Sequence, residues 1–151
     1  KLSRIPTDPE GPEKNGIPVE DQRMRFSIAP FDNIDNLTPF RGVLKTEVEI
    51  EALDANQQPT GKLEEIEHEA DGKIVTATKI VKDGSSLNKF DLNDFDPKVS
   101  FYHIFRAAGW YQFRVKAYDR AKDGNIGQAR EMKFNINVLP ASFRTRSIDS
   151  K

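Results

Sequence analysis

The sequence predicts an all-β protein, an antiparallel sandwich of about eight strands with Greek-key connections, and three observations carry that expectation. The first is strict period-2 alternation. In Leu44 to Ala52 the residues Leu44, Thr46, Val48, Ile50 and Ala52 fall on one face and Lys45, Glu47, Glu49 and Glu51 on the other, and Tyr111, Phe113, Val115 and Ala117 alternate with Trp110, Gln112, Arg114, Lys116 and Tyr118 in the same way. The second is punctuation: turn-forming stretches such as Asp71-Gly72, Asp83 to Ser86 and Asp123-Gly124 separate the alternating runs at short intervals. The third is the lack of any strand-helix-strand rhythm of the kind a parallel sheet needs.

Taken in order, residues 1–22 carry Pro6, Pro9, Pro12 and Pro18 among charges of both signs, with almost no apolar periodicity. Such a stretch buries too little surface to offset its ordering entropy, and it reads as a linker or extended arm. Residues 23–140 form the predicted sandwich domain. Met24, Phe26 and Ile28 mark its first strand, and Pro30 to Arg41 reads as a long loop anchored by Phe31, Ile34, Leu37 and Phe40.

After the acidic strand at Leu44 to Ala52 comes a loop from Asp54 to Gly61. Residues 62–70 then admit two readings: Leu63, Ile66 and Ala70 fit a helical face, while Asp71-Gly72 before Ile74, Thr76, Thr78 and Ile80 signals a hairpin, the favoured reading. A short strand is expected over Leu87 to Leu92. Two more cover Lys98 to Arg106 and Trp110 to Tyr118, and a last one over Ala129 to Leu139 points Met132, Phe134, Ile136 and Val138 inward until Pro140 stops it. Residues 141–151 are a polar, basic tail. The expected core includes Phe26, Val48, Ile50, Phe101, Phe113, Val115, Phe134 and Ile136.

The stretch Phe105 to Tyr118 resembles the tyrosine corner of Greek-key sandwiches: Phe105 closes one run, Ala107 to Gly109 turns, and Tyr111 follows at the start of the next strand. The resemblance implies a Tyr111 hydroxyl bonded back to upstream backbone, and Gly109 suits a turn conformation closed to residues with a Cβ. The motif Gly-x-Tyr-x-Phe-x-Val-x-Ala from Gly109, followed by Asp119, Asp123-Gly124 and a final strand ending Asn-Val-Leu-Pro, is similar to fibronectin type III and related immunoglobulin-like modules. More narrowly, Trp110 to Pro140 is similar to two bacterial groups. One is the triple-tyrosine module that follows the propellers of periplasmic sensors, and the other is the C-terminal sandwich of von Willebrand A-related proteins. These resemblances imply an extracytoplasmic setting, in the periplasm, at the cell surface or secreted, and supply no catalytic residue.

Composition narrows the function. A formal net charge of −1 argues against a general polyanion binder, so no nucleic acid is expected. The chain has no cysteine, which excludes disulfides, thiolate metal sites and cysteine nucleophiles. No apolar run approaches the roughly 18 residues of a membrane span. Because the chain begins at Lys1, it reads as a piece of a longer or processed protein.

Candidate chemistry is sparse. No Ser-His-Asp set, phosphate-cradling glycine loop or zinc-protease helix can be assembled, so the reading is not an enzyme, with no catalytic residue, cofactor or metal assigned. His103 shares a face with Phe101 and Phe105 and reads as a satisfied core histidine, and His68, among Glu64, Glu65, Glu67 and Glu69, reads as part of a solvated face. Calcium has two candidate clusters, Asp91, Asn93, Asp94 and Asp96, and Asp119, Asp123 and Asn125. Charge is asymmetric: Val43 to Asp71 holds nine acids and two bases, a balance of −7, whereas Phe101 to Lys133 holds seven bases and three acids, a balance of +4. If the two alternating strands lie in opposite sheets, the module is electrically two-faced.

The expected binding surface is Tyr102, Arg106, Trp110, Arg114, Lys116 and Tyr118, aromatics set among cations. Together these features predict a non-catalytic binding or spacer module of a larger bacterial envelope or secreted protein, working on a protein partner or on neighbouring domains of its own chain. The alternative is a carbohydrate-binding accessory domain that stacks a glycan on Trp110 with Tyr102 or Tyr118.

Overall fold

The computed structural model describes residues 7–9, 17–30, 43–87, 95–120 and 126–141. Among the described residues ten strands run in the order β1 (Thr7–Pro9), β2 (Arg23–Ile28), β3 (Val43–Leu53), β4 (Pro59–Leu63), β5 (Ile66–Ala70), β6 (Lys73–Ala77), β7 (Lys79–Asp83), β8 (Val99–Ile104), β9 (Gly109–Arg120) and β10 (Ile126–Val138). The protein is all-β, and every ladder between these strands is antiparallel. One sheet has the order β1-β2-β8. A second has the order β10-β9-β3-β4, with β7 also on β3, and β5 with β6 forms a separate hairpin.

The expected loop at Pro30 to Arg41 and the expected strand at Leu87 to Leu92 lie almost wholly outside the described residues. Within the predicted arm, Thr7–Pro9 pairs with Met24 to Phe26, and Val19 forms a parallel bridge to Leu139 just past β10.

Alternation produces the packing. On β2, Met24, Phe26 and Ile28 are buried, while Arg23 before them and Arg25 between Met24 and Phe26 are exposed; on β8, Val99, Phe101 and His103 are buried with Ser100 and Tyr102 exposed. Phe26 is the centre of one apolar core filled from both sheets: its ring lies 5.5 Å from Phe101, 6.0 Å from Phe105 and 5.1 Å from Phe113 of the other sheet. Val48, Ile50, Val115 and Tyr111 complete it, while Phe134 and Ile136 pack against its margin half-buried.

The middle of the chain departs from the expected pattern in one place. The Asp71-Gly72 turn does form, with both residues at positive φ (52° and 77°) as a two-residue hairpin of this type requires, and residues 66–70 are strand. Yet Ile74 to Ile80 is not one strand. The chain bends at Thr78, so that β6 pairs with β5 and β7 with β3. Along one edge β3 therefore receives β7 at Lys45 to Glu49 and β4 at Glu51 to Leu53, and the β5–β6 hairpin stands out from the gap between them. A two-stranded hairpin has little against which to bury its faces, and Ile74 is 70% exposed in consequence.

The two-faced charge expectation is overturned. β3 and β9 are neighbours in one sheet, with Glu47 opposite Lys116, Glu49 opposite Arg114 and Glu51 opposite Gln112, so the acidic and basic rows interleave. Lys79 of β7 sits opposite Glu49 on the other side. The acids of β3 expected to face water are accordingly covered: Glu47 and Glu51 are buried, because a central strand is flanked on both sides by long side chains. Arg114 Nη2 lies 3.1 Å from Glu51 Oε1, and Tyr118 donates its hydroxyl to Glu47 Oε1 at 2.8 Å. Burial would raise the Glu47 pKa, but the Tyr118 hydroxyl, Lys79 and Lys45 outweigh it and hold the carboxyl below its usual value.

Candidate binding groove

The upstream backbone bond expected of the Tyr111 hydroxyl forms. Tyr111 is buried, packs 4.5 Å from the Phe105 ring, and donates its hydroxyl to the Ala107 carbonyl oxygen at 2.6 Å. Gly109 adopts φ 137°, which a residue with a Cβ resists. A second clasp holds the same corner, since Glu20 accepts from Ala108 N and from Ala141 N, each at 2.9 Å. Burial first, then the carboxylates of Glu64 and Glu20, push the Tyr111 pKa up to about 12. A raised folded-state pKa means that the stabilisation is complete below the unfolded value of 10.0 and is lost as pH climbs through about 12. Tyr111→Phe strands the Ala107 carbonyl and costs about 1–3 kcal/mol at neutral pH, and it removes part of the stability decline above pH 10. Urea titrations of both forms at neutral and alkaline pH check both effects, and an unchanged midpoint would contradict them.

The six residues of the expected surface do not come together. Trp110, Arg114, Lys116 and Tyr118 lie on β9, whereas Tyr102 is on β8 in the three-stranded sheet, and Arg106 is in the connection between the two strands. Trp110 is half-buried and Lys116 exposed. Arg114 and Tyr118 are engaged with Glu51 and Glu47, and Lys45 Nζ lies 5.0 Å from the Tyr118 ring centroid. Three aromatics on one platform for a sugar are therefore not assembled from Tyr102, Trp110 and Tyr118.

What the fold does assemble is a groove of about 1100 Å³ between the β5–β6 hairpin and the outer face of the three-stranded sheet. Its floor comes from positions where alternation points outward: Arg23 and Arg25 of β2 and Tyr102 of β8, with Arg25 directly opposite Tyr102. The Arg23 guanidinium lies 3.7 Å from the centroid of the Tyr102 ring, a stacked cation. Arg106, its guanidinium 3.4 Å from Asp21, extends the basic side. The opposite wall carries Glu65, Glu67 and Glu69 with the exposed Ile74.

Where the walls meet, His103 Nε2 lies 3.0 Å from Glu64 Oε1, and the His103 ring packs edge-on against Phe105 at 4.7 Å. His103 is thus the satisfied core histidine of the sequence reading, and its Glu64 contact ties the hairpin's root to β8. Arg23, Arg25 and the glutamates of the wall were missed as a site because each reads alone as a solvated face. The available signal was that the outward positions of Arg23 to Ile28 are basic while those of Ile66 to Ala70 are acidic.

Among the described residues no three His, Asp or Glu side chains converge as a metal site. Asp91, Asn93, Asp94, Asp123 and Asn125 of the calcium candidates lie outside those residues. Asp96 accepts from Lys98 N at 2.9 Å, and Asp119 lies 4.0 Å from Arg130 Nε. No helix among the described residues is long and apolar enough to cross a membrane. No family model, curated protein or solved structure matches the chain.

Proposed function

We propose that this chain is a non-catalytic immunoglobulin-like or fibronectin III-like sandwich module that binds a protein partner, or a neighbouring domain of its own chain, through the groove between the hairpin and β8. The sandwich reading is supported by the shared Phe26 core and by the strand orders, in which β2 lies beside β8 while the intervening β3 lies beside β9. That exchange of partners is what Greek-key connections produce. Placement in a larger bacterial envelope or secreted protein rests on the resemblance of Trp110 to Pro140.

The observation that carries the binding reading is the groove's opposed chemistry, an Arg and Tyr floor against a glutamate wall with an exposed Ile74. A polypeptide offers both charge signs and apolar side chains within a few residues, whereas a neutral glycan uses aromatic platforms, and among the described lining residues Tyr102 is the one exposed aromatic. The test is selection of peptides from a random displayed library alongside a soluble glycan array. Selected peptides are expected to shift the amide resonances of Tyr102, His103 and Glu67, and Tyr102→Ala to weaken them by roughly 2 kcal/mol, about thirtyfold. Peptides that converge instead on Trp110 and Lys116, or saturable glycan binding in their place, would overturn the assignment.

A further inference from the structure

We infer that the polypeptide partner of the groove is held as an added strand: an extended segment with cationic side chains at alternate positions pairs antiparallel with the free edge of β6, a mode that rests on the groove being the binding site. β6 is solvated on both faces. Lys73, Ile74, Val75 and Thr76 are all exposed, Ile74 to 70% and Val75 to 37%, so nothing lies against the strand that would shield them. The chain is described without a break from Val43 to Leu87, and β5 is the one described ladder partner of β6. An edge of β-branched residues in this state is a template for another strand.

The turn fixes which backbone groups are free. Asp71 and Gly72 make a two-residue turn, so the flanking Ala70 and Lys73 form a hydrogen-bonded pair, as do His68 with Val75 and Ile66 with Ala77. The N–H and C=O groups of Ile74 and Thr76 therefore point away from β5. Residues directly opposite share a face, which sets the Ile74 and Thr76 side chains beside Glu69 and Glu67, on the side that lines the groove. In an antiparallel added strand, the residues that bond to Ile74 and Thr76 present their own side chains on that same side.

Charge selects the occupant. From Glu64 to Ala77 the hairpin carries five acids, Glu64, Glu65, Glu67, Glu69 and Asp71, against the single base Lys73. Glu65, Glu67 and Glu69 are in no ion pair among the described residues. A second copy would bring the same acids up to these, whereas a cationic segment complements them. An arginine opposite Ile74 lays its stem along that exposed side chain and turns its guanidinium toward Glu69, two strand spacings or about 10 Å away. The alternate side chains, on the Val75 side, are apolar.

The probe is an octapeptide of alternating arginine and valine titrated into the full chain. Saturable binding is expected, with the Ile74 and Thr76 amide resonances shifted, and a peptide with glutamate in place of arginine should bind about tenfold more weakly or worse. N-methylation of the arginines, whose N–H groups bond to β6, should weaken binding about tenfold, while N-methylation of the valines, whose N–H groups point outward, should change it less than about twofold. Thr76→Pro deletes an outward N–H and spares the ladder to β5, so it should weaken the peptide about tenfold with the resonances of Ile66 to Ala70 in place. Equal effects of the two methylated peptides, equal binding of the arginine and glutamate peptides, or unmoved Ile74 and Thr76 amides overturn the added strand. Tyr102→Ala then separates the two readings: a loss of peptide binding keeps the groove as the site, and no loss removes it as well. Failure to saturate at millimolar peptide overturns the inference.

Discussion

Phe26→Ala is expected to lower stability by about 3–5 kcal/mol, the range for removing a fully buried phenylalanine and leaving a cavity behind. Phe26 bridges the sheets: Phe101 is its cross-strand neighbour on β8, Phe105 approaches edge-on, and Phe113 reaches it from β9. These rings are held by β8, by the connection that follows it and by β9, so the site cannot collapse without moving backbone, which places the cost high in the range. Against a total stability of about 5–15 kcal/mol, that loss is a large share. The urea midpoint should fall steeply with its slope unchanged. Phe26→Leu, which keeps most of the volume, should cost about 1–2 kcal/mol. A loss below about 1 kcal/mol for the alanine variant would mean that the two sheets do not depend on this contact.

Arg114→Met is the second large effect, with an expected loss of about 3 kcal/mol, because it leaves the Glu51 carboxylate buried without its cation. The loss sits at the low end for a broken buried pair, since Gly61 N still donates to Glu51 Oε2 at 2.9 Å. The double variant Glu51→Leu with Arg114→Met should recover most of it. The native guanidinium is imperfectly satisfied, with Nε buried and without a partner, so an apolar pair forfeits little. Denaturant midpoints of the two single variants and the double variant give the coupling directly. Additive losses would show that the carboxylate and the guanidinium act independently.

The residues that specify local structure were legible in the sequence. Alternation separated Met24, Phe26 and Ile28 from Arg23 and Arg25, and Val48 and Ile50 from their acidic neighbours, because a strand's side chains have no other way to share two faces. Asp71-Gly72 announced its turn through the positive φ that few other pairs accept, and the Tyr111 to Ala107 bond spans too few residues to depend on the rest of the chain. Tyr102 and Lys116 are exposed, as their outward positions on alternating strands imply.

Which strand lies beside which was decided only by the tertiary structure. Period 2 assigns a residue to a face, yet says nothing of the neighbouring strand, which is chosen by contacts between residues far apart in sequence. Val48 lies opposite Val115 because their shared burial outweighs the entropy of closing the long loop between them. That single adjacency of β3 and β9 turned two charged faces into one interleaved sheet, covered Glu47 and Glu51, and engaged Arg114 and Tyr118. The groove has the same origin. Arg25 and Glu67 are more than forty residues apart in the chain, and only the bend at Thr78, which lets β6 leave the sheet while β7 joins it, stands the hairpin over the outer face of β2 and β8.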